Sequence, residues 1–290
     1  MLCYCAAPKP IGMARLLYNV EPEFRFMNKF SEIIGAAQWQ GDSVTFNVTE
    51  DWGQGRTVFG GMQGAMAVTA MRGVLGNDVP LRSLQVTFIG PVFFGDVTVN
   101  AKVLRQGKSA TQVQAEIYDD GKLRLIAVGI FGTDRPSELA DVPTAEPAKR
   151  GRDESHRVKY VEGMMPAFTQ HFETHFAEGP KLFSATKHPR AIAYSRHRDD
   201  DMVTEAHLVA LGDVAPPVAM AALSQFAPAS SMNWQLEFVQ QPSALTDKPW
   251  FRVDAEALAS GQGYTWQNSD FWDEDGRLVM LSRQCIAVFG

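Results

Sequence analysis

Apolar and polar residues alternate twice along the chain in the same way. In LRSLQVTFIGP, from Leu81, the residues Leu84, Val86 and Phe88 share one side of an extended run. In SMNWQLEFVQQP, from Ser231, Trp234, Leu236 and Phe238 do the same. A period of two predicts a strand with one buried face. An apolar stretch of helical length precedes each run: GGMQGAMAVTAMRGVL from Gly60, and GDVAPPVAMAALSQF from Gly212. A helix that is apolar nearly all round needs cover on most sides, and an antiparallel sheet curled round it supplies that.

The parallel continues downstream. VNAKVLRQGKSATQVQAEIYDDGKL from Val99 matches VDAEALASGQGYTWQNSDFWDEDGRL from Val253 at an offset of 154 residues. Val99, Ala101, Leu104, Gly107, Thr111 and Asp119 meet Val253, Ala255, Leu258, Gly261, Thr265 and Asp273. Each copy predicts a strand, a Gly-containing turn, an aromatic-ended strand, an Asp-Gly turn and a last strand. The offset drifts only from 150 to 155, which favours internal duplication over two unrelated meanders. Gly61 then falls opposite Asp213. The predicted organisation is an extension over 1–19, a first unit over 20–132, a Pro/Asp/Glu/Ala-rich linker over 133–160 and a second unit over 161–290. The fold class is α+β. The two sheets are expected to pair side by side about a pseudo-twofold axis, which covers the edge strands of each copy.

Composition narrows the function. With 45% hydrophobic and 21% charged residues, 290 residues can bury an ordinary core. A net charge of −6 argues against a nucleic-acid surface. The cysteines are Cys3, Cys5 and Cys285, so no disulfide framework is expected and a reducing compartment fits. No run predicts membrane insertion. Lys9 and two prolines interrupt the N-terminal stretch where a signal peptide needs an apolar run, and the expected location is cytoplasmic.

Two polar residues stand out. Asp213 interrupts the apolar run LVALGDVAPPVAM, where it could cap a helix or act as a base. Its counterpart Gly61 carries no acid, which capping alone does not require. Gln284 lies on the face of the last strand that carries Leu278, Met280, Ser282, Ile286 and Val288, and its first-half counterpart is Gly129. A buried amide costs about 1–3 kcal/mol when unpaired, so Gln284 needs a partner, structural or functional.

TVFGGMQGAM from Thr57, LRQGKSATQVQAE from Leu104 and GRLVMLSRQ from Gly276, in this order, resemble the double-hotdog acyl-CoA thioesterases of the thioesterase II type. The resemblance covers both halves and excludes the linker. It implies a tandem double hotdog, each half a long helix wrapped by an antiparallel sheet. It also implies hydrolysis of an acyl-CoA thioester without a metal or other cofactor. In that family an Asp, a Thr or Ser and a Gln hold the attacking water. By motif these fall on Asp213, Ser231 and Gln284, with Ser230 one residue from the hydroxyl position. The segment SSMNWQLEF lacks the Asp-His pair usual just after the hydroxyl.

The Gly60-Gly61 pair permits either a close helix approach or backbone N–H groups facing a thioester oxygen. Arg105 and Lys108 are candidates for the CoA phosphates, or a solvated turn. HFETH, with His171 and His175, lacks the metalloprotease arrangement and is expected on a surface or half-buried helix. The rival to an enzyme is a non-catalytic acyl or acyl-CoA binding protein of the same fold. A homo-oligomer is compatible with the sequence.

Overall fold

The two alternating runs are the strands that join the halves. The structure is a computed structural model describing residues 28–76, 78–199, 204–241 and 249–289. In chain order the first half contributes α1 (Phe30–Gly35), β1 (Gln38–Gln40), β2 (Ser43–Val48), β3 (Gly53–Gln54), β4 (Thr57–Val58), α2 (Gly60–Leu75), β5 (Leu81–Phe88), β6 (Gly95–Gln106), β7 (Ala110–Asp119) and β8 (Lys122–Gly132). The second half contributes β9 (His156–Val158), β10 (Phe172–Glu178), β11 (Arg190–His197), α3 (Glu205–Leu211), β12 (Ala229–Phe238), β13 (Phe251–Gly261), β14 (Tyr264–Trp272) and β15 (Leu278–Val288).

Thirteen strands form one antiparallel sheet in the order β1-β2-β6-β7-β8-β5-β12-β15-β14-β13-β11-β10-β9. The seam is β5 against β12, with Gln85 opposite Gln235, Val86 opposite Trp234 and Leu84 opposite Leu236. Gln85 and Gln235 are 150 residues apart, the offset of the two runs, so this pair lies on the local twofold axis. Each half covers the other's open edge, as the duplication predicts.

The core lies under the sheet, around α2. Met62, Ala65, Met66, Val68, Ala70 and Met71 are all buried, so the helix is covered on nearly every side. It packs on α3 where Gly64 meets Val209. A Cβ on Gly64 would lie 2.9 Å from Val209 Cγ1 and 3.0 Å from Trp234, so the missing side chain permits this approach.

The second helix is not where the apolar run places it. It ends at Leu211, just before the expected start, and Val218–Ala222 forms only a short 3₁₀ turn. Pro216 and Pro217 remove two backbone donors and oppose helical continuation. The actual start is Thr204, whose hydroxyl and N–H both meet His207 Nδ1, at 2.9 and 3.2 Å. The helix starts therefore correspond as Gly60 to Glu205, and the pairing of Gly61 with Asp213 is incorrect. The linker stretch 133–160 runs along the second half: Ala145 N–H donates to Gly276 O, and β9 pairs with β10. The extension expected over 1–19 lies outside the described residues. No helix among those described is long and apolar enough to cross a membrane.

Candidate active site

Asp213 follows α3 directly, in the turn that Gly212 begins. Gly212 packs against Trp234, where a Cβ would come within 2.9 Å of the indole. That contact brings the carboxylate to the N-terminus of α2, in the other half. The N-cap of α2, Phe59, provides no side-chain acceptor. Asp213 provides one instead, accepting from the Gly61 N–H. Its Oδ1 also accepts from Gln284 Nε2 at 2.7 Å. Gly60 lets Oδ2 come close, since a Cβ there would lie 2.6 Å from it. The carboxylate thus caps a helix, but not the one that precedes it.

These groups border a small pocket open to solvent, lined by Gln54, Phe88, Ala215, Pro217 and Ile286 as well as the polar residues. Ser230 and Ser231 both line it, at the start of β12. Ser230 is buried and Ser231 half-buried, and a bulge follows between Ser231 and Asn233. Among the described lining residues, Asp213 is the one that ionises. Burial pushes its carboxyl up to about 7, against the lowering effect of the Gln284 and Gly61 hydrogen bonds. A carboxylate tuned to neutrality and held beside a water-accessible pocket has the properties of a general base.

The remaining candidates lie elsewhere. The Gly61 N–H points to Asp213, while Gly60 lines the pocket itself. Arg105 and Lys108 are exposed on the β6–β7 hairpin. That hairpin is level with Leu81, through the pairs Leu81–Phe131 and Phe131–Thr111, whereas the pocket adjoins Phe88 at the other end of β5. The structure thus places both on an exposed turn, away from this pocket. The second-half counterpart, the Gly261–Gly263 turn, is beside the pocket: Val288 N–H donates to Gly263 O, and Ala287 lies between Tyr264 and Ser230. His171 and His175 are not on a helix. His171 closes a 3₁₀ turn, stacked on Trp52 and 3.1 Å from the Asp51 carboxylate, and His175 is on β10. Cys285 is half-buried on the face away from Gln284.

The symmetric position in the first half is closed. A Cβ on Gly129 would meet Met71 Sδ at 2.7 Å and Phe131 at 3.0 Å, so no side chain fits there. At the start of α3, Glu205 is engaged by Arg72, Nε to Oε2 at 2.8 Å, and by the Leu81 N–H at 2.8 Å.

Sequence comparison gives the same assignment to both halves. Residues 48–132 match the acyl-CoA thioesterase N-terminal domain and residues 136–288 the acyl-CoA thioesterase C-terminal domain. The chain belongs to the acyl-CoA thioesterase family. Among solved structures it is similar to a conserved hot dog-fold protein from Alicyclobacillus acidocaldarius, with a TM-score of 0.82 at 19% identity, covering 90% of this chain and 98% of that one. A tesB protein from Mycobacterium avium subs paratuberculosis gives 0.74 at 15% identity, with 90% and 98% covered. An acyl-CoA thioesterase II from Mycobacterium marinum gives 0.68 at 16%, again with 90% and 98% covered. At these identities the likeness shows the shared fold, a pair of hotdog units. Among curated proteins none matches.

Proposed function

We propose that the pocket hydrolyses an acyl-CoA thioester with Asp213 as general base. The observation that carries this reading is the Asp213–Gln284 contact at the start of α2, with the carboxyl held near neutrality. A water beside Ser230, Ser231 and Gln284 attacks the thioester carbonyl carbon while Asp213 takes its proton. The charge that develops on the carbonyl oxygen is met by the positive end of α2, where Gly60 lines the pocket. Collapse of the tetrahedral intermediate breaks the C–S bond. The CoA thiolate leaves and recovers the proton from Asp213. The hydroxyl of Ser231 orients the water, and Ser230 is the alternative donor on the same strand.

Asp213→Asn tests this. Asn still accepts from Gly61 but takes no proton from water, so thiol release from an acyl-CoA should fall about 10²–10⁴-fold with the fold intact. Unchanged turnover by the folded variant excludes the base role. Intact acyl-CoA binding by a parent protein that turns over no acyl-CoA substrate would favour the non-catalytic binder.

A further inference from the structure

Residues of the second half replace apolar residues of the first in one compact block. On β7 and β8 the facing pairs are Val113–Gly129 and Ala115–Ala127. The same places on β14 and β15 hold Gln267–Gln284 and Ser269–Ser282. All four of these polar residues are buried. The first half shows that an apolar block packs well there, so the polar groups need another reason. Gln284 has one in Asp213, and Ser282 accepts from the Trp234 indole N–H at 2.9 Å.

Gln267 does not line the pocket. Its Oε1 accepts from the Val218 N–H at 2.7 Å, and its Nε2 reaches Ser269 Oγ at 3.3 Å. Val218 is the first residue with an amide donor after Pro216-Pro217. Upstream, the loop is fixed by Gly212 and Val214 N–H groups donating back into α3. Downstream of Asp213, the prolines can donate nothing, and the next fixed amide is the one on Gln267. Two adjacent carboxamides on neighbouring strands therefore hold the two ends of the segment Asp213–Val218.

We propose that Gln267 is a positioning residue, whose side chain suspends the loop so that the Asp213 carboxylate reaches the Gln284 amide. This rests on the reading of Asp213 as the base. Without the tether the loop relaxes, the Asp213–Gln284 hydrogen bond lengthens, and the carboxyl is left less able to ionise.

Two variants delete the same hydrogen bond from opposite sides. Gln267→Met keeps the length and removes the acceptor. Val218→Pro removes the donor at the first position of a 3₁₀ turn, a position that favours proline, and follows Pro217 in an extended conformation at ψ 117°. Each should lower kcat about 10–100-fold with KM within about threefold, and move the acid limb of the pH–rate profile upward. The double variant should be no worse than the poorer single one, because both remove one contact. Folded variants with unchanged kcat and pH limb overturn the proposal, as does a loss of kcat that only tracks the thermal midpoint. If the parent releases no thiol from any acyl-CoA, the thioesterase reading fails separately. The tether is then read from the Asp213 carboxyl titration, by ¹³C NMR. It should move upward in both variants, and an unmoved titration overturns the tether too.

Discussion

Gln284 Nε2 donates to Asp213 Oδ1 across 2.7 Å, although the two residues belong to different elements 71 positions apart. The carboxyl titrates near 7 because burial outweighs this bond. With the base active when deprotonated, kcat/KM should rise about tenfold per pH unit below 7 and level off above it. In Gln284→Leu the lowering effect is gone, so the limb should shift to higher pH and the plateau drop about 10–100-fold. A limb that stays in place would separate Gln284 from the ionisation.

The same shift makes Asp213 a stability liability. A carboxyl whose folded value lies above its unfolded value of 3.8 favours the folded state most when protonated. Stability is then lost as pH rises from about 4 through 7. Asp213→Asn should therefore raise the thermal midpoint at pH 8 relative to the parent, and narrow the gap at pH 5. Calorimetry at both values checks this; an equal effect at the two pH values refutes it.

Adjacent glycines should respond differently to a methyl group. In Gly60→Ala the new Cβ lies 2.6 Å from Asp213 Oδ2 and displaces the carboxylate, so activity should fall at least tenfold. In Gly61→Ala it lies 2.5 Å from the Ala210 carbonyl oxygen and forces the helices apart. The primary effect there should be a loss of about 1–3 kcal/mol of stability, read by urea unfolding.

His197 should make the protein acid-sensitive. It is buried, its Nε2 donates to the His207 carbonyl, and its Nδ1 has no partner among the described residues. Burial and the neighbouring His207 lower its value from 6.5 to about 3. A histidine kept neutral by folding contributes its stability above pH 6.5 and loses it as pH falls towards 3, by up to about 1.4 kcal/mol per pH unit. Between pH 7.5 and 5 the parent should lose about 2 kcal/mol more than His197→Gln. Equal losses in the two proteins would assign the acid response elsewhere.

The closed position in the first half should matter for stability alone. Glu205→Gln weakens the pair with Arg72, whose side chain is 25% exposed against 13% for Glu205, and should lower the thermal midpoint by a few degrees, for about 1 kcal/mol. Thiol release should stay within about twofold of the parent.

The sheet was readable from the sequence because strand faces repeat at a period of two and the copies retain their turn residues. The offset of 150 even identifies the pair on the axis, Gln85 and Gln235. Gln284 was readable as an amide on an otherwise largely apolar face. The second helix was not, because apolar content continues through Pro216-Pro217 while backbone donors do not. Thr204 followed by Glu205 was the available start signal. Nor could the sequence show that Asp213 would cap α2, since that depends on how closely Gly212 and Gly60 allow the two halves to approach. Arg105 and Lys108 are legible in the sequence as cations of a turn; only the strand pairing shows that their hairpin is at the opposite end of β5 from the pocket.

The continuous seam between β5 and β12 has a consequence for what the chain can encode. Two identical subunits related by a true dyad must carry the same residue at every equivalent place. A glycine that lets Met71 fill one end would then remove the amide needed at the other. Joined in one polypeptide, the halves escape that constraint: one end can be specialised for chemistry and its mirror place for cohesion, with neither choice imposed on the other.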